Sequence, residues 1–117
     1  MKTIIDILLL FIALEHIGFL ILEMYFWDHR VGRKIFQMTE EFSKSSKALA
    51  ANQGLYNGFL AAGLVWGFTS GQVHIQMFFL CCVLAAGVFG GLTAKRSILY
   101  TQALPAIITL ALIYFSS

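Results

Sequence analysis

Four apolar stretches, each long enough to cross a bilayer, divide this chain and exclude most other folds. They cover residues 3–27, 48–69, 73–94 and 97–115. A membrane-spanning α-helix needs about 20 mostly apolar residues. The chain is also 59% hydrophobic and only 12% charged, whereas soluble domains carry roughly 25% charged residues. We therefore predict an all-α, polytopic membrane protein with a single transmembrane domain over residues 1–117.

The links between these stretches predict how the helices are arranged. TSGQ joins the second stretch to the third, and residues 94–96 join the third to the fourth. Such short links favour an antiparallel four-transmembrane-helix bundle. The first loop, residues 28–47, mixes apolar and charged residues. This pattern predicts a short amphipathic segment on the membrane surface, with a solvated charged linker as the alternative.

The basic residues predict the orientation in a cell membrane. Seven of the eight lie in the first loop or the third connection: Arg30, Arg33, Lys34, Lys44, Lys47, Lys95 and Arg96. Loops rich in lysine and arginine stay on the cytoplasmic side. The first loop is therefore expected in the cytoplasm and both termini outside, against the minor contrary signal of Lys2. A net charge of +2 gives no indication of nucleic-acid binding.

Three ionisable residues, Glu15, His16 and Glu23, lie within the first apolar stretch. A charged side chain at the bilayer centre costs about 2.5–3.5 kcal/mol, so these side chains must face a protein-lined or watery interior. At about 100° per residue they fall within one arc of a helix. Carboxylates beside a histidine are typical of proton uptake or general acid–base chemistry. They are therefore candidate ligand-binding or proton-coupling residues.

The second stretch adds a group of polar residues at a matching depth: Asn52, Gln53, Tyr56 and Asn57. Gln102 in the fourth stretch is expected at a similar level, followed by Pro105, where the helix can kink. We predict a polar pocket, open to the cytoplasm, between the first, second and fourth helices. The alternative is a buried hydrogen-bond network that only sets helix register. We predict no metal site and no cofactor.

Glycines recur at four-residue spacing, as in Gly54-x-x-x-Gly58 and Gly87-x-x-x-Gly91. Small residues at this spacing let helix backbones approach closely in lipid. Packing within one chain is the first interpretation, and a homodimer contact on the third helix is the alternative.

Three motifs carry a resemblance to a known family: LEHIGFLILEMYFW, GRKIFQMTEEF and LAANQGLYNGFLAAGLVWG. They resemble a bacterial and fungal family of small four-helix membrane proteins, known as domain of unknown function thirteen hundred and four. The resemblance implies a four-helix integral membrane fold. It also implies that the candidate residues of the first two stretches are family signature positions. It brings no substrate or reaction.

Three functions fit these observations. The first is a protein that binds or transports a small cationic or amphipathic molecule, coupled to protons through Glu15 or Glu23; transport would need a homodimer. The second is a membrane enzyme in which a carboxylate and His16 exchange protons with a lipid-soluble substrate, as an isomerase does. The third is a structural membrane protein whose polar core only sets packing. The expected partners are the lipid bilayer and a small-molecule or lipid ligand.

Overall fold

The computed structural model describes residues 1–116 and is all-α, with no strand in that range. This confirms the all-α part of the prediction, whereas the antiparallel four-helix topology stays a prediction. The helices are α1 Lys2–Tyr25, α2 Arg30–Ile35, α3 Glu40–Ser45, α4 Lys47–Ser70, α5 Val73–Thr93 and α6 Leu104–Ser116, with a π-helical turn at Leu99–Ala103 leading into α6.

Three helices are long and apolar enough to cross a membrane. They are α1, α5 and the continuous helix Leu99–Ser116 formed by the π-helical turn and α6. These candidate spans indicate a membrane protein. Helix α4 is as long as α1, with 24 residues each, but its amides reduce its mean hydropathy and it is not among the three.

The chain forms two compact units. The first unit contains residues 1–13 and the chain from Leu60 onward, and the middle unit is Leu14–Phe59. Burial of apolar side chains drives packing in the first unit. Its core includes residues that solvent does not reach at all: Leu9, Ile12, Leu64, Leu80, Val83 and Ala106.

The π-helical turn in the first unit lies directly before Pro105. There Leu104 N–H bonds the carbonyl of Leu99, five residues back instead of four. Pro105 has no N–H to continue the α-helical ladder, so the irregular turn is found where the kink was predicted. Gly87 of α5 faces this turn. A Cβ built on Gly87 would lie 2.6 Å from the backbone nitrogen of Ala103, so the close approach requires glycine.

A pocket of about 320 Å³ lies in the first unit, and none of the predicted site residues lines it. Its wall includes an ion pair in which Lys2 Nζ is 2.7 Å from Asp6 Oδ2. Gln76 also lines it, with its Nε2 donating to the carbonyl of Gly67 at 2.9 Å.

In the middle unit, the first loop contains two short helices, α2 and α3, in the segment predicted to be amphipathic. Side chains cap both helices: His29 Nδ1 accepts from Val31 N–H at the start of α2, and Thr39 Oγ1 accepts from Phe42 N–H at the start of α3. Such caps satisfy N–H groups that have no partner within the helix. Gln37, between the helices, has a φ of 53°.

Candidate functional site

The middle unit is built around a close contact between α1 and α4. A Cβ on Gly54 would lie 2.7 Å from Met24 Cγ and 3.2 Å from the backbone oxygen of Leu20. One turn along, a Cβ on Gly58 would lie 2.6 Å from Leu20 Cδ1. The Gly54-x-x-x-Gly58 motif thus lets the two backbones approach as predicted, within a single chain.

This contact brings Asn57 to Glu23. Asn57 lies between the two glycines on the same face of α4, and its Nδ2 donates to Glu23 Oε1 at 2.5 Å. Asn57 is only 6% exposed, so water has little access to its amide and the hydrogen bond to Glu23 is shielded. No side chain or backbone group within residues 1–116 donates to the second oxygen of Glu23. One oxygen of the Glu23 carboxylate therefore accepts a hydrogen bond from Asn57, and the other has no donor among the described residues.

Glu15 and His16 lie about two turns before Glu23, or roughly 12 Å along α1 from Glu15. His16 is fully buried and meets Phe19 edge to face, with ring centroids 5.2 Å apart. Glu15 is half-buried, and its Oε1 is shielded from solvent with no hydrogen-bond donor among the described residues. A shielded carboxylate oxygen without a donor is costly and would gain from a cation or a donor group.

The predicted site residues Asn52, Gln53, Tyr56 and Gln102 form no hydrogen bond with Glu23 or Asn57. Asn52, Gln53 and Tyr56 are exposed, and Tyr56 packs its ring on Phe59 at 5.9 Å. The side of α4 that carries Gly54 and Gly58, which we call the glycine face, packs on α1. Asn52 and Tyr56 lie about 140° and 100° around α4 from Asn57, away from this face, so the contact with α1 does not cover them. Gln102 belongs to the first unit, where its Cβ lies 2.9 Å from the Cβ position of Gly87.

Comparison with known proteins agrees with the motifs that suggested a family. The sequence profile described as "Protein of unknown function (DUF1304)" matches residues 10–114. The chain belongs to the DUF1304 family. It is also similar to the uncharacterized protein YpaA of Lactococcus lactis subsp. lactis (strain IL1403), with 34% identity over 97% of this chain and 99% of the relative. No solved structure matches the chain.

Sequence reasoning did not anticipate one polar cluster of this DUF1304 protein. Asp28 Oδ1 accepts from Arg33 Nη1 at 3.0 Å and from Ser43 Oγ at 2.9 Å, and Ser43 is fully buried. Nearby, Trp27 Nε1 donates to Ser46 Oγ at 2.9 Å. These hydrogen bonds connect the start of the first loop, at Trp27 and Asp28, to its end, at Ser43 and Ser46. No residue spacing predicts them, because the partners lie up to 19 positions apart and belong to different helices or to the turns between them.

Within residues 1–116, no group of three or more histidine, cysteine or acidic side chains could hold a metal ion.

Proposed function

We propose that this DUF1304 protein binds a small cationic or amphipathic molecule within the membrane, through the carboxylates of Glu23 and Glu15. The observation that carries the proposal is the Glu23–Asn57 hydrogen bond on the glycine face of α4. The bond orients Glu23 Oε1 and leaves the other oxygen available to a ligand. In a low-dielectric setting, a cation beside such a carboxylate is strongly favoured.

The other polar groups have supporting roles in this proposal. Glu15 offers a second acidic group on the same helix, with an oxygen that no described donor satisfies. Exposed Gln53 lies about 40° around α4 from Asn57 and offers a second amide to a bound molecule. Proton exchange at either carboxylate would couple binding to pH, with His16 as a neighbouring proton acceptor.

The same proposal includes the membrane topology. We infer four crossings, by α1, α4, α5 and the helix Leu99–Ser116. The first loop and residues 94–96 would lie in the cytoplasm and both termini outside. The distribution of lysine and arginine supports this orientation. The 24-residue length of α4 supports a crossing despite its amides. Moving a bound molecule across the membrane would require two copies, since one chain offers few helices for alternating access.

A binding experiment with a lipophilic cation tests the proposal. Tetraphenylphosphonium is titrated against the full chain in lipid nanodiscs, and heat release is measured. We expect saturable binding that Glu23→Gln weakens about tenfold or more, since loss of a charge-assisted contact costs on the order of 1.5–3 kcal/mol. Glutamine keeps an oxygen that accepts from Asn57, so thermal stability should be unchanged.

Asp6→Asn provides the matched control, because Asp6 is an acid on the same helix that is paired with Lys2. It should bind the cation like the unmodified chain. If the unmodified chain binds no cation, or if Glu23→Gln binds as well as Asp6→Asn, the carboxylates do not form a cation site. The polar contact between α1 and α4 would then be only structural.

A further inference from the structure

Helix α2 has one side fixed against the rest of the middle unit. Gly32 is buried, and a Cβ there would collide with the backbone carbonyls of Phe26 and Trp27, so the helix lies directly on that segment. Arg33 reaches back from the same helix to Asp28, with Nη1 3.0 Å from Oδ1. These two contacts set which way α2 faces.

The opposite side of α2 presents cations beside apolar groups. Arg30 and Lys34 are one turn apart, at about 0° and 40° on the helix, and Val31 and Ile35 follow at about 100° and 140°. All four are exposed, Val31 by 42% and Ile35 by 49%. Gly32 and Arg33 fall at about 200° and 300°. The exposed arc is thus divided into a basic edge and an apolar edge, which we call the α2 face.

The position of α2 in the chain keeps this face near the bilayer surface. Only four residues separate Tyr25, the last residue of the candidate span α1, from Arg30. Even fully extended, that connection reaches no more than about 18 Å. The headgroup layers add roughly 10–15 Å to the hydrocarbon core in total. That upper limit exceeds the layer on one side, but Gly32 packs directly on the carbonyls of Phe26 and Trp27, which follow α1 immediately, so α2 lies beside that end of the span and within reach of the headgroups.

The cations of the α2 face are free to bind an external anion. Arg33 is paired with Asp28, and Lys44 lies 3.8 Å from Glu40. Arg30 and Lys34 form no ion pair with any residue in 1–116. We propose that the α2 face binds the headgroups of anionic phospholipids, with Arg30 and Lys34 on the phosphates and Val31 and Ile35 in the acyl region. Charge complementarity at this depth supports lipid as the occupant.

A fluorescent probe on this face tests the proposal. In a chain carrying Cys81→Ala and Cys82→Ala, Ile35→Cys is labelled with a polarity-sensitive nitrobenzoxadiazole dye. The full protein is then reconstituted into phosphatidylcholine vesicles with or without phosphatidylglycerol. We expect emission to shift to shorter wavelength when phosphatidylglycerol is present. About 0.5 M salt should reverse the shift, because it screens the charges. Arg30→Gln with Lys34→Gln should abolish it.

The matched control is Lys95→Gln with Arg96→Gln, which removes the same charge from the third connection. In the labelled Ile35→Cys chain, its emission shift should equal that of the same labelled chain without these two substitutions. Equal emission in the two kinds of vesicle would overturn the proposal and favour a protein partner on the α2 face. Equal loss of the shift in both double variants would overturn it as well, since the effect would then reflect overall charge.

Discussion

Asn57 and Asn52 are the same residue type on the same helix, five positions apart, yet they have opposite environments. Asn57 is 6% exposed and bonded to Glu23, whereas Asn52 is exposed and has no side-chain hydrogen bond within residues 1–116. A hydrogen bond shielded from water contributes to stability mainly because its loss leaves a partner unsatisfied. The two residues therefore form a natural pair for mutagenesis.

Asn57→Ala should destabilise the protein by about 1–3 kcal/mol, because Glu23 Oε1 loses its donor. Melting of the purified protein in detergent, followed by intrinsic fluorescence, measures the effect. Asn52→Ala should melt at the same temperature as the unmodified chain. Equal melting temperatures for the two variants would mean that the Glu23–Asn57 bond contributes nothing to stability.

At the scale of single residues, the sequence did not show which polar side chains are buried. The composition of α4 singled out four polar positions, but only packing against α1 decides which of them is covered. Asp28 shows the same limit. It follows directly after an apolar stretch, and its hydrogen bonds depend on Arg33 and Ser43, which lie farther along the loop.

At the scale of helices, the glycine face of α4 sets the distance to α1. Gly54→Ala would place a methyl group 3.2 Å from the backbone oxygen of Leu20, which cannot move aside as a flexible side chain can. The helices must shift apart by a few tenths of an ångström, and the Glu23–Asn57 bond should weaken. We expect a loss of about 1–3 kcal/mol, typical of an overpacked contact. Thermal melting in detergent again measures it.

Gly18→Ala is the control for this substitution. Gly18 is also a helical glycine of the middle unit, but a Cβ there would meet nothing within 4 Å. Alanine has the better helix propensity, so Gly18→Ala should leave the melting temperature unchanged or raise it. A drop as large as that of Gly54→Ala would show that loss of glycine, not the close contact, is responsible.

The positions of the long helices were easier to predict from the sequence than the irregular turn before Pro105 or the packing between helices. Apolar runs predicted α1, α5 and the last helix. The π-helical turn before Pro105 was not predicted, because a missing N–H can be accommodated by a kink or by a wider turn. Packing against Gly87 involves residues of another helix, which local pattern does not contain.

At the scale of the whole molecule, the proposed orientation can be tested by labelling in cells. In the chain with Cys81→Ala and Cys82→Ala, single cysteines replace Ser70 at the end of α4 or Glu41 in the first loop. Both positions are exposed. A membrane-impermeant maleimide should label Ser70→Cys in intact bacteria, and Glu41→Cys only after the cells are opened, because loops rich in basic residues stay inside.

Labelling of Glu41→Cys in intact cells would reverse the proposed orientation. Labelling of both cysteines in intact cells would show that α4 does not cross the membrane. The prediction of four crossings then fails, although the three apolar helices still qualify as spans.

The Glu23–Asn57 bond also bears on how the chain enters the membrane during synthesis. If α4 crosses the bilayer as we propose, α1 and α4 inserted separately would each carry a polar group into hydrocarbon without its partner. Ribosomes add about 5–20 residues per second, so the segment between the two helices takes roughly one to four seconds to make. We therefore expect the translocon to release α1 and α4 together as a helical hairpin, in which Asn57 already donates its hydrogen bond to Glu23.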